Sequence, residues 1–270
     1  MTPASADAPG AAAVSPGTQR LLGFGHSHLS ALLKAWQSRQ KQGRTGGREA
    51  FFARLNHKSF QPNFEMENGD RRLTPQLERR LQHILRTRAP DAVVCVLMGN
   101  EYNALAMVRH PRPYDFAWPE RGLVADPKAE EIPFAMMKAQ LAALAGRNAL
   151  LFWRAIAAAA PCPVFLLPPP PPIHSKAHIL AHPGKFGEMT ARYGINPPEI
   201  RLKMWQLYCC VLQEAVAGSA TWFLDLPDSV FDGGYLAEPY WSQDPTHANS
   251  AYGEIVLSYV EENAFAASCV

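Results

Sequence analysis

The chain has few of the features that would place it outside the ordinary globular enzymes. Its 270 residues contain no Cys-x-x-Cys pair and no zinc-ribbon spacing. The five cysteines, Cys95, Cys162, Cys209, Cys210 and Cys269, are scattered and odd in number. This pattern argues against a disulfide framework and fits reduced thiols in a cytoplasmic setting. No apolar run is long enough for a membrane span, because the best stretch, 149–167, is broken by Arg154, Pro161 and Pro163. The first 18 residues lack the basic start and continuous apolar core of a secretory signal. Rich in Ala, Pro, Ser and Gly, they are expected to form a flexible leader, with 19–270 as one domain. There is no internal repeat. A net charge of +2 is too small to imply nucleic acid as a partner. The basic clusters in 39–54 and 71–88 have no aromatic ladder beside them and read as solvated faces. Gly23-x-Gly25 is followed by His28 where a dinucleotide fingerprint needs its third glycine, so no nicotinamide cofactor is expected, and no other cofactor either.

Hydrophobic residues make up 47% of the chain and charged residues 19%, a globular balance. Leu21-Leu22-Gly23-Phe24-Gly25 is apolar, His26-Ser27-His28 follows, and Leu29, Leu32, Leu33 and Trp36 then recur at i, i+3, i+4 and i+7. That is the pattern of a strand, a tight turn and a helix, with Ser27 in the turn. A second short strand is expected at 50–55, then a polar, turn-rich segment with Asn68-Gly69-Asp70. A helix opens at Thr74-Pro75 and closes before Pro90. Residues 91–98 are apolar at consecutive positions, as in a strand covered on both faces. They run into Gly99-Asn100-Glu101-Tyr102-Asn103. Further strands are expected at 162–167 and 221–226, and helices at 132–160, from Pro198 to about 217, and at 249–264. The connections at 102–131 and 168–196 are long. Strands alternating with helices imply a three-layer α/β/α domain with a five-stranded, mostly parallel sheet. Ligands in such sheets bind beyond the carboxyl ends of the strands, where Ser27, Gly99-Asn100 and the prolines 168–172 all fall.

The order of these motifs resembles the SGNH hydrolases, also called the GDSL family. The family has a serine turn after the first strand, a glycine after the second, a Gly-x-Asn after the third, and an Asp-x-x-His before the last helix. Corresponding positions here are Gly25-His26-Ser27, Gly69, Gly99-Asn100, in which the glycine and asparagine are adjacent, and Asp244-Pro245-Thr246-His247. The resemblance spans about residues 20–263. It implies a flavodoxin-like SGNH fold and a serine esterase or acyltransferase. Ser27 would be the nucleophile, His247 the base and Asp244 its orienting acid. The Ser27 N–H, the Asn100 amide and the Gly69 N–H would form the oxyanion hole. A serine hydroxyl needs such a base to become nucleophilic, and a tetrahedral oxyanion needs preorganised donors.

The chain departs from the family pattern at His26, where aspartate is usual, and at Glu101, where aspartate is common. His26, His28, Glu101, Tyr102 and Trp241 are expected to contact the substrate, with Trp118 as a further candidate wall of a pocket built by the two long connections. Aromatic walls suit a sugar or an acyl chain, so the expected partner is a small-molecule or carbohydrate ester. Hydrolase and transferase are not separated by sequence, and oligomeric state is not legible. Two other readings stay open. His26-x-His28 with Asp244 and His247 could form the metal set of a hydrolase, or the fold could serve as a non-catalytic binding protein. Asp244 could equally be a turn residue before Pro245, and Ser27 a helix cap. His174, His178 and His182 form a second histidine series, read as polar loop positions unless a helix aligns them as metal ligands.

Overall fold

The computed structural model describes residues 17–266, the side chains of Asn100 and Ala266 excepted. Residues 1–16, on which the expected leader falls, and Cys269 lie outside the described residues. Five strands, β1 (Arg20–Gly25), β2 (Glu49–Arg54), β3 (Ala92–Val96), β4 (Val164–Leu166) and β5 (Thr221–Phe223), form one sheet. Its order is 2-1-3-4-5, and every neighbouring pair is parallel. Nine helices are described: α1 (Leu29–Lys41), α2 (Pro75–Arg88), α3 (Asn100–Ala106), α4 (Phe134–Gly146), α5 (Ala149–Ala159), α6 (Lys176–Ala181), α7 (Gly187–Tyr193), α8 (Pro198–Val216) and α9 (Ser250–Ala266). The expected α/β architecture is present, with a fully parallel sheet flanked by helices. None of the helices among the described residues is long and apolar enough to cross a membrane.

The central strand β3 is buried at every residue, as its unbroken apolar run requires. The β1 residues Leu21 to Gly25 are buried beside it. Strand order reverses at β1, which has β2 on one side and β3 on the other. The carboxyl ends of β1 and β3 therefore flank the crevice where ligands bind in open α/β sheets. Thr74 caps α2 by accepting the Leu77 N–H at 3.3 Å, and Pro75 occupies the first helical turn.

Several expectations change. The turn-rich segment after β2 contains an antiparallel hairpin, Phe64–Glu67 with Asp70–Leu73. Its two-residue loop is Asn68-Gly69, both at positive φ (52° and 88°), the geometry a tight hairpin demands of its loop. The single helix expected over 132–160 is two, because Asn148 leaves helical geometry at φ −133°, ψ −94°. The strands expected at 162–167 and 221–226 shorten to three residues each. The connection 102–131 begins inside α3. Lys203 pins its far end through bonds to both Asp115 oxygens (2.8 and 2.9 Å) and to the Phe116 and Val124 carbonyls.

Pro168–Pro172 is buried throughout and crosses the sheet edge beyond β4. The prolines cannot donate, and their carbonyls accept from Trp205 Nε1 at Pro169, the Tyr102 hydroxyl at Pro170 and the Leu236 N–H at Pro172. Arg201 continues the seam by donating to the carbonyls of Ile173 and His174.

Candidate active site

Ser27 lies in the turn between β1 and α1. The turn is closed by the His26 N–H donating to the Val96 carbonyl (3.2 Å) and the Leu29 N–H donating to the His26 carbonyl (3.2 Å). The Leu55 N–H at the end of β2 donates to the Gly25 carbonyl at 2.7 Å. A Cβ on Gly25 would stand 2.3 Å from the Val96 oxygen and 2.9 Å from Leu29 Cβ, so only glycine permits this approach of β1, β3 and α1. Ser27 itself is half-buried.

His26, the departure from the family's aspartate, has a defined role in the turn. Its Nδ1 accepts the Met98 N–H at 3.2 Å, supporting Met98 in a left-handed conformation (φ 57°) that a side chain rarely adopts. The ring packs edge-on against Phe152 at 4.8 Å. Burial lowers its pKa to about 4, which keeps Nδ1 an acceptor at neutral pH.

After β3 the chain turns at Gly99 (φ 101°), and a Cβ there would meet His28 Nε2 at 2.8 Å and Pro169 Cβ at 2.9 Å. Glu101 Oε2 accepts the Gly99 N–H at 2.9 Å, and Asn103 Nδ2 donates to the Gly99 carbonyl at 2.9 Å. These two side chains fix the turn that begins α3 at Asn100. The Asn100 amide, expected in the oxyanion hole, lies outside the described residues.

The last motif forms a hydrogen-bonded pair. His247 Nδ1 donates to Asp244 Oδ1 at 2.5 Å. The same oxygen accepts the Thr246 N–H (2.9 Å), the Thr246 hydroxyl (3.0 Å) and the His247 N–H (3.1 Å). Burial alone would push the Asp244 carboxyl up. The hydrogen bonds from His247 and Thr246 outweigh burial and hold it well below the usual carboxylate range. Asp244 is therefore ionised and fixes the proton of His247 on Nδ1. His247 Nε2 is buried without a hydrogen-bond partner. Its imidazole lies against that of His28, the residue after Ser27, with ring centroids 4.5 Å apart. His28 is wholly buried, and burial, followed by the neighbouring His247, lowers its pKa to about 3. Its Nδ1 also lacks a partner.

The helices following the two motifs hold them together. Gly253 in α9 approaches α1 so closely that a Cβ would stand 2.1 Å from the Ala31 carbonyl oxygen. Arg39 of α1 donates to Glu254 Oε1 (3.0 Å), Glu261 Oε2 (2.8 Å) and Ser258 Oγ (2.6 Å) of α9. Neither device is signalled by a local motif, because each joins residues more than two hundred positions apart.

Other expected site residues have different placements. Gly69 is a hairpin-loop glycine with open space where a Cβ would stand, and its positive φ accounts for it. β2 ends at Arg54, well before it. Glu101 is buried at 5% exposure with its carboxylate turned to backbone N–H groups, and it shapes the Gly99 turn. Tyr102 is 1% exposed and Trp118 4%, which makes both core residues. Trp241 is half-buried, donates from Nε1 to the Leu236 carbonyl (2.7 Å), and lines a recess of about 350 Å³ with His174, Tyr235 and Glu238. The metal reading meets an obstacle at His26, whose Nδ1 is engaged by Met98. No group of three or more His, Cys, Asp or Glu among the described residues is arranged to hold a metal ion.

No family model matches the sequence, and no curated protein does. Solved structures of similar shape include a GDSL-like lipase from Bacteroides thetaiotaomicron, at 12% identity, TM-score 0.44, covering 95% of this chain and 93% of the other. A carbohydrate acetylesterase family member from Sinorhizobium meliloti is similar at 12% identity and TM-score 0.46, covering 92% of this chain and 98% of the other.

Proposed function

We propose that the chain is a serine esterase or acyltransferase working through Ser27, His247 and Asp244. The observation that carries this reading is the state of His247. Its Nδ1 is committed to an ionised Asp244, and its Nε2 lone pair is buried and unpartnered beside the Ser27 turn. An imidazole in that state is a general base with one open task.

His247 Nε2 takes the Ser27 Oγ proton as Oγ bonds to the ester carbonyl carbon, and the carbonyl electron pair moves onto its oxygen. The Ser27 N–H, next to the amino end of α1, and Asn100, which opens α3, would stabilise that oxyanion. Collapse of the intermediate breaks the acyl–oxygen bond, and His247 returns its proton to the departing alkoxide. The acyl group is then on Ser27. Water or a second alcohol, deprotonated by His247, removes it and restores the hydroxyl. The ester is that of a small molecule or carbohydrate, for which the half-buried Trp241 would supply an aromatic wall.

Labelling with a fluorophosphonate probe, with the modified residue located by mass spectrometry, tests the reading. Stoichiometric modification of Ser27 that disappears in His247→Ala supports it. A folded, unlabelled protein that also hydrolyses no activated ester removes it. Activity lost on chelation and regained with metal would return the metal reading.

A further inference from the structure

The segment from α6 to the turn at Gly184 approaches the chain carrying Asp244 and His247 at two points. At the first, His178 Nε2 stands 2.9 Å from the Ser242 carbonyl oxygen. A carbonyl only accepts, so Nε2 carries the proton. Ser242 in turn donates to the His247 carbonyl from its N–H (3.2 Å) and its hydroxyl (2.8 Å). The His178 ring is held between Trp241 (4.9 Å) and His182 (4.7 Å), and Ser175 caps its helix by accepting the His178 N–H at 3.1 Å. At the second point, Gly184 (φ 52°) lies so close that a Cβ would be 3.3 Å from Asp244 Oδ2.

We propose that His178 is a positioning residue, which through Ser242 sets the backbone of His247 and hence the alignment of the His247–Asp244 pair. The inference rests on the esterase reading above and extends it to a residue 64 positions before Ser242. Catalysis by a base is sensitive to placement, and a displacement of about 1 Å costs on the order of a hundredfold in rate. The groups facing the His247–Asp244 pair are the Thr246 hydroxyl, the His28 imidazole and Lys185, whose charge acts on both Asp244 and His28. The His247 carbonyl itself is held by Ser242.

The test compares wild type, His178→Ala and His178→Gln, whose side-chain amide can restore the N–H donor. Two readouts are followed: the rate of Ser27 labelling by the fluorophosphonate as a function of pH, and the proton resonance of the His247 Nδ1–H. With alanine, labelling should slow by about ten- to a hundredfold. The pH profile of labelling should also depart from that of wild type. The Nδ1–H resonance should broaden or move upfield, and glutamine should recover most of each change. Wild-type rate and pH profile in the alanine variant would overturn the proposal. So would equal loss in alanine and glutamine with the pH profile and resonance unmoved, since that marks a merely structural histidine. Wild-type protein unlabelled at Ser27 is a different result. It removes the esterase reading, and the resonance alone then decides whether His178 positions His247.

Discussion

Arg39 and Glu261 meet across α1 and α9, Nη1 to Oε2 at 2.8 Å, with side chains only 7% and 6% exposed. The same guanidinium reaches Glu254, so one buried cation joins the helix that follows Ser27 to the helix that follows His247. Arg39→Met should therefore leave Glu261 buried without its principal partner, at a cost of about 3–5 kcal/mol. Denaturant unfolding measures this directly. A loss below about 1 kcal/mol would mean that Arg48, 3.5 Å from the same carboxylate, takes over.

Gly253→Ala tests the same junction sterically. The added methyl would overlap the Ala31 carbonyl, so α9 must retreat from α1. Overpacking of this kind costs about 1–3 kcal/mol, and the displacement should reach His247 near the start of α9. Thermal melting should fall, and Ser27 labelling should slow by more than the fraction unfolded explains. Unchanged labelling in the folded fraction would show that the loop before α9 absorbs the shift.

Asp244→Asn keeps the shape of the pair but removes its charge. The amide can present its N–H to His247 and so favour the wrong tautomer. The expected fall in the rate of ester turnover is about ten-thousandfold, with the melting temperature little changed. A loss of tenfold or less would remove Asp244 from the role assigned to it.

Acid stability follows from the buried histidines. The pKa of His26 is lowered to about 4 and that of His28 to about 3, both chiefly by burial. Below the ordinary histidine pKa the unfolded chain binds protons that the folded chain refuses, so stability falls as pH falls. The loss begins near pH 6.5 and reaches about 3 kcal/mol for each ring by pH 4, at about 1.4 kcal/mol per unit. Asp244, depressed below its unfolded value, adds a loss of the same sign at still lower pH. Urea midpoints measured from neutral pH downward should show this slope, and His26→Gln should reduce it.

The parts of the fold legible in the sequence are those set by local pattern. β3 shows as an apolar run because both its faces are covered, and Ser27 falls in a turn because a strand-like run meets a helical period there. The site is less legible where one residue type serves two ends. Asn68-Gly69 is as good a hairpin loop as it is a candidate donor, and only the pairing of 64–67 with 70–73 decides between them. Glu101 and Tyr102 follow Gly99-Asn100 closely and so look like pocket residues. A seven-residue helix beginning at Asn100 instead turns one to the backbone and the other to the proline seam. His178 gives no signal of its bond to Ser242, because contacts across 64 positions have no period.

The seam at Pro168–Pro172 is a run of main chain without amide hydrogens, so its relations with its surroundings run in one direction. Every partner must be a donor, as Trp205, Tyr102 and Leu236 are, and substitutions at those positions are constrained by hydrogen-bond polarity as well as by size. A change from proline to any other residue within the run would introduce an N–H into a buried layer whose neighbours were selected to give hydrogens and not to receive them. The tolerance of the run to mutation should therefore follow the availability of an acceptor more closely than the volume of the new side chain.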